Sequence, residues 1–137
     1  LNNKSLSLLR EELAVALADR NIIKYQSDTA YGVLIEHYGL CGGYTDAMAI
    51  FLNRYNIPNF KVVSDNHIWN AVYIDSEWYH LDLTWDDPII TGGKINDAIK
   101  SAYFLKGSEE FFKDHVENGA IVEGANLVYP IISTSNF

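Results

Sequence analysis

The sequence predicts an α+β domain, and three observations carry that prediction. Helical spacing dominates the first 55 or so residues, three strand-like runs follow it without interruption, and a two-residue turn signal separates the last two runs. A hydrophobic fraction of 48% and an aromatic fraction of 13% are those of a folded globule. At 137 residues the whole chain, 1–137, reads as one domain with enough length to bury a core. Leu1 in place of a methionine points to a fragment or processed part of a longer protein.

Taken in order, residues 5–20 predict a helix whose apolar stripe is supplied by Leu6, Leu8, Leu9, Leu13, Val15, Ala16 and Leu17. Asp28 is a candidate cap for a short helix through Glu36, with His37, Tyr38 and Gly39 as its exit. A clearer helix runs from about Cys41 to Tyr55. Tyr44, Ala47, Met48, Phe51, Leu52 and Tyr55 form its expected buried face, and Asn56-Ile57-Pro58 ends it. Strands are predicted over 60–64, 67–74 and 77–84, the last two joined as a hairpin through Asp75-Ser76. Thr91-Gly92-Gly93 marks a loop, 103–105 a short strand, 108–115 a short helix capped by Ser108, and 128–133 a final extended segment.

A formal net charge of −8, with ten scattered Lys and Arg residues, argues against nucleic-acid and anionic-membrane surfaces. No run approaches the roughly 18 apolar residues of a membrane span, and no signal-peptide pattern is visible. Nine Tyr and three Trp fit either an aromatic core or a groove lined by ring faces.

Cys41 is the sole cysteine, so it has no internal disulfide partner. It opens the clearer helix, where unpaired backbone N–H groups and the helix dipole favour a thiolate. Gly42 and Gly43 leave room for a substrate beside the sulfur, although tight helix packing explains two glycines equally well. Taken alone, Cys41 reads better as a small buried side chain packed under the helix.

The hairpin shifts that balance. If Asp75-Ser76 is a two-residue turn, Ile74 faces Glu77, Asp82 falls opposite Trp69, and His67 falls opposite Thr84. His67, Trp69 and Asp82 then share a face, with Asp82 diagonal to His67. Asp82 lies among Leu81, Leu83 and Trp85, where an unpaired carboxylate would be costly, so it needs a partner. Two plainer readings stand beside this one: His67 as a polar residue at a strand start, and Asp82 as an acceptor for turn amides.

Three runs, in this order, resemble the transglutaminase-like superfamily. The run from Gly39 to Ala47 is similar to its nucleophile segment, a Cys opening a helix and followed by a Gly-Tyr pair and an alanine. His67-Ile68-Trp69-Asn70 resembles its His-x-Trp-Asn strand, and the run from Trp78 to Asp86 its Trp-Tyr-x-x-Asp-x-Thr-Trp strand. The spacing is that of compact bacterial members, and the recognisable core covers about 29–88. Tyr103-Phe104-Leu105 with Glu109, Glu110 and His115 looks like the segment that follows the core in bacterial relatives.

The resemblance implies a papain-like fold with the nucleophile-bearing helix packed on an antiparallel sheet. It also implies a catalytic Cys-His-Asp set. Cys41 would be the nucleophile and His67 its base, with Asp82 orienting the imidazole. The chemistry would be acyl transfer from peptide or protein amides through a thioester, favouring hydrolysis over amine cross-linking. No cofactor is implied, and the calcium sites of the large animal enzymes lie outside this core. The implied partner is a peptide or protein substrate, in a bacterial cell-surface or extracellular setting that includes cell-wall material.

Trp69 is a candidate substrate contact or a shield for His67, and Trp78 falls on the same face. Trp85 falls on the opposite face and is expected in the core. His80, Asp82, His67 and Cys41 allow a metal site, a weaker reading than catalysis with His80 on the surface. His37 and His115 show no evident partner and are expected to be solvated. Asp86 and Asp87 read as turn residues. The competing function is a catalytically silent module of the same fold that holds peptide or glycan in an aromatic groove.

Overall fold

The computed structural model describes residues 21–87, 102–115 and 130–137. The predicted helix over 5–20 and the glycine loop at 91–93 lie outside the described residues, as does the first part of the predicted segment 128–133.

A π-helical turn, Gly32–Glu36, leads to His37, which takes a left-handed conformation at φ 61° and ends the turn where an exit is predicted. Thr29 rather than Asp28 serves its start, accepting a hydrogen bond from the Gly32 N–H at 3.2 Å. Helix α1, Cys41–Arg54, then packs on a three-stranded antiparallel sheet of order β1-β2-β3, with β1 Asn59–Val63, β2 Ile68–Ile74 and β3 Glu77–Leu81. Asp75 and Ser76 both have positive φ, 47° and 71°, and close a two-residue hairpin that pairs Ile74 with Glu77. Two left-handed residues match the right-handed twist of the flanking strands, which is why so short a turn closes without glycine.

Both faces of the sheet are covered. On one, Leu52 from α1 packs with Val72 and Leu81, and Met48 and Ile57 pack at the margin. On the other, Val62, Trp69 and Ala71 pack with Phe111, the last residue of α3, Ser108–Phe111. Burial on two sides explains why the middle of β2 is continuously buried instead of alternating.

The buried surface of α1 differs from its predicted stripe. Ala47 and Leu52 are buried, but Phe51 and Tyr55 are 46% and 71% exposed. At 100° per residue, Thr45, Met48 and Leu52 cluster on one flank, against the sheet, and Gly43 and Ala47 on another. Phe51 and Tyr55 fall in the wedge between. Asn70 Nδ2 donates to the Thr45 carbonyl at 3.1 Å, and Thr45 Oγ1 donates to the Ile68 carbonyl at 3.1 Å, tying α1 to β2.

The third predicted strand is shorter than expected. The ladder stops at Asn70 paired with Leu81, and Leu83–Asp86 forms a helical turn, α2, capped by Asp82. Segment 103–105 is not a strand; the chain makes one antiparallel bridge, Lys106 with His80. Gly107 rather than Ser108 is the N-cap of α3, because the Ser108 hydroxyl meets His80 Nε2 at 3.2 Å instead.

Asp86, at the end of α2, is 6% exposed and accepts the Tyr103 N–H at 2.8 Å. Burial raises its carboxyl from 3.8 to about 6, overriding that hydrogen bond. A carboxyl raised in the native state contributes most below 3.8, and its contribution is lost as pH rises through about 6. Asp86→Asn keeps the acceptor and removes the charge. The variant is expected to gain about 2 kcal/mol at pH 7.5 or so and nothing below about pH 3.8, read by thermal melts across that range.

Candidate active site

The site forms where three chain segments meet: the entry to α1, the start of β2, and the turn that follows β3. Cys41 is the first residue of α1 and is partly exposed. Leu40 precedes it in extended conformation, at φ −107° and ψ 175°, so the chain arrives straight and turns into the helix at the cysteine. Its glycine neighbours serve packing. A Cβ on Gly43 would lie 2.5 Å from the Ser27 carbonyl oxygen, and one on Gly42 would lie 3.2 Å from that of Asp28. The glycines thus let the first turn of α1 press against residues 27–29.

Cys41 and His67 line one cleft of about 620 Å³, with Tyr38, Leu40 and Trp85 among its walls. Tyr44 and Asp87 close one side, the Tyr44 hydroxyl donating to the Asp87 carboxylate. Burial, then that bond, pushes the Tyr44 hydroxyl up to about 12, so it remains a donor.

His67 and Asp82 are brought together. His67 Nε2 donates to Asp82 Oδ2 at 2.5 Å, and the Asp82 side chain is 1% exposed. Asp82 Oδ1 accepts the N–H groups of Thr84 at 3.0 Å and Trp85 at 3.2 Å. The two readings of Asp82 therefore hold together: one oxygen caps α2 and the other holds the imidazole. Burial alone would push the Asp82 carboxyl up. Hydrogen bonds from His115 and His67, with the charge of His67 and the Trp85 amide, outweigh it and hold the group below the ordinary carboxylate value. With Nε2 engaged, Nδ1 is the ring nitrogen of His67 without a hydrogen-bond partner among the described residues.

Trp69 is 2% exposed and lies in the core, its Nε1 donating to His80 Nδ1 at 3.0 Å, and it is not among the residues lining the Cys41 cleft. Its ring lies 5.7 Å from that of His67, and the two residues line a second, smaller pocket of about 160 Å³. Trp78 packs against Phe60 at 4.8 Å.

Several expectations are corrected. Trp85 is on the cleft wall and 37% exposed; strand parity fails for it because it sits on a helical turn. His80 is fully buried, and burial, aided by the charge of His115, lowers its imidazole to about 4. It is a neutral bridge between Trp69 and Ser108, not a surface group. His115 is likewise buried, at 6%, with Nε2 against Asp82 Oδ2 at 2.8 Å and Nδ1 against Asp114 Oδ1 at 2.9 Å.

His67, Asp82 and His115 place three ligand-type atoms within 4.8 Å of one another. Asp82 Oδ2 sits between the two rings at 2.5 and 2.8 Å, the distances of direct hydrogen bonds. Ligand atoms around a tetrahedral zinc stand about 3.3 Å apart with the ion in the middle, so this arrangement is a hydrogen-bonded cluster with its centre already filled.

The molecule is thus an α+β protein with a cysteine at a helix start and a His-Asp pair across one cleft from it. No family model matches the chain. It is 35% identical over 52 residues to the kyphoscoliosis peptidase of Mus musculus, a stretch covering 36% of this chain and 8% of that protein. Among solved structures, one described as the crystal structure of a TGase is similar at 25% identity and a TM-score of 0.43, covering 62% of this chain and 24% of that one. The chain spans only a small part of either. The transglutaminase-like relationship rests on the three sequence motifs, beside the peptidase match over 52 residues.

Proposed function

We propose that the protein is a cysteine-dependent acyl-transfer enzyme. Cys41 attacks an amide carbonyl, His67 takes the thiol proton through Nδ1, and Asp82 holds the ring and stabilises its imidazolium. The amine leaves with the proton from His67, and the resulting thioester on Cys41 passes to water or to an amine. The observation that carries this reading is that Cys41 and His67 line one cleft while Nε2 of His67 is anchored to a buried carboxylate. A third group that orients the base favours its work on a nucleophile, and the hydrogen bond from His67 to Asp82 supports that role for Asp82. The Cys41 N–H, at the helix start, is the natural donor to the developing oxyanion.

Hydrolysis of peptide or protein amides is favoured over cross-linking, in an extracellular or cell-surface setting. Incubation with a peptide library, in parallel with a fluorescent primary amine and an acyl-donor protein, separates the two outcomes. Release of peptide fragments without amine incorporation is expected, and Cys41→Ala abolishes it. Amine incorporation as the main product would reverse the preference. Loss of neither activity in Cys41→Ala would remove the reading. A silent module that only binds peptide or glycan in the cleft predicts binding with no turnover in either assay.

A further inference from the structure

We propose that His115, braced by Asp114, is a positioning residue that keeps the Asp82 carboxylate compensated and aimed at His67. The proposal rests on the catalytic reading of Cys41, His67 and Asp82. Asp82 Oδ2 takes two imidazoles, His67 from the start of β2 and His115 from just beyond α3. The two rings differ in surroundings. The His67 side chain is 13% exposed, whereas that of His115 is 1% exposed and is not among the residues lining the Cys41 cleft. The ring of His115 is clamped between Phe111, at 3.8 Å between centroids, and Trp85, at 4.0 Å.

Both nitrogens of His115 face carboxylate oxygens, which only accept. The ring fills both contacts as a donor only when it carries two protons. Asp114 is itself held as an acceptor, taking the Tyr103 hydroxyl at 2.7 Å, and that hydroxyl is pushed up to about 12 first by this bond. A chain of hydrogen bonds therefore links Tyr103, Asp114, His115, Asp82 and His67, with the hydroxyl and the imidazoles donating to the two carboxylates.

The arrangement answers a physical problem in the proposed reaction. His67 gains and loses a proton in each cycle, and whenever it is neutral Asp82 would be a buried carboxylate with no charged partner. His115 supplies a second donor that does not take part in the proton transfer. The titratable groups around the pair are His67 just before β2, Asp82 at the cap and Asp86 at the end of α2, Tyr103 and Asp114 beside His115, and His80 on β3, the last kept neutral by burial.

The test is the rate of Cys41 alkylation by iodoacetamide from about pH 4 to about pH 8 in the wild type, His67→Ala, His115→Phe, His115→Gln and Asp114→Asn. Without His115, burial acts on Asp82 with one donor fewer, so Asp82 takes up a proton at higher pH and stops supporting His67 there. In His115→Phe the acid limb of the profile is expected to move up by about one pH unit, with a plateau about tenfold lower. The amide of His115→Gln can donate one N–H to Oδ2 and is expected to recover most of both effects. Asp114 has a 46% exposed side chain, so Asp114→Asn is accommodated without repacking and carries the test even if His115→Phe does not fold. Its limb is expected to move in the same direction by a smaller amount. A purely structural role would lower melting temperatures and leave the limb in place. An unmoved limb in Asp114→Asn and in His115→Phe where that variant folds, together with slow alkylation in His67→Ala, overturns the role of His115 alone. Alkylation that His67→Ala leaves unchanged overturns the catalytic reading and, with it, this proposal.

Discussion

His67→Ala is expected to slow alkylation of Cys41 by iodoacetamide about a hundredfold at mildly acidic pH, while wild-type Cys41 reacts at least about tenfold faster than free cysteine under the same conditions. The prediction follows from position. Cys41 opens α1, where the first-turn N–H groups have no intrahelical acceptor, and His67 lines the same cleft with its Nδ1 unengaged among the described residues. The helix start alone favours a thiolate modestly, within the first turn. An imidazole that takes the thiol proton adds the larger share, so removing it is expected to remove most of the reactivity. His67 is only partly buried and its removal leaves the Asp82 contact to His115, so the fold is expected to survive.

Asp82→Ala is expected to have the largest effect on stability. Its carboxylate accepts four hydrogen bonds, from His67, His115 and the amides of Thr84 and Trp85. Truncation leaves donors at the entry to β2, on α2 and beyond α3 with no acceptor, and unpaired buried groups are where single substitutions become severe. A loss of about 3–5 kcal/mol is expected, seen as a fall of about 10 °C or more in melting temperature. Asp82→Asn keeps an oxygen for capping α2 and is expected to lose less. The pH dependence has a definite sign. The Asp82 carboxyl is held below its ordinary value of 3.8, so its contribution is fully present above that value and is lost as pH falls through the folded value. The gap in melting temperature between wild type and Asp82→Asn is therefore expected to narrow at acid pH. A gap that stays constant would mean that the charge of Asp82 does not matter to the fold.

How far the sequence could be read depended on the range of each interaction. Helix α1 and the hairpin follow from local spacing, and the two-residue turn at Asp75-Ser76 was legible from the apolar runs on either side. The pairing of His67 with Asp82 was reached by extending the hairpin register to Trp69 and Thr84. The contact exists by another route: the ladder ends at Leu81, and Asp82 meets His67 from the cap of a helical turn. The same turn explains Trp85, whose place on the cleft wall strand parity could not give. Phe51 and Tyr55 were misplaced because a helix gripped on two flanks buries two narrow stripes in place of one broad one.

His115 is the functional candidate that sequence reasoning missed. It lies 33 residues from Asp82, and nothing local joins them. The available signal was weak: Phe111 and His115 stand four apart, which stacks the imidazole on a ring that the sheet buries. His80 was missed for a related reason. It was expected on the surface, but α3 and Lys106 cover the edge of the sheet at β3, so the histidine is sealed under Phe111 and Phe112.

The central claim, that Cys41 accepts an acyl group with His67 as its base, is tested most directly by intact-protein mass spectrometry after brief mixing with p-nitrophenyl acetate. One acetyl group is predicted on Cys41, released by hydroxylamine, absent in Cys41→Ser and formed far more slowly in His67→Ala. Acetylation that falls on lysines alone, or that reaches Cys41 equally fast in wild type and His67→Ala, would contradict it.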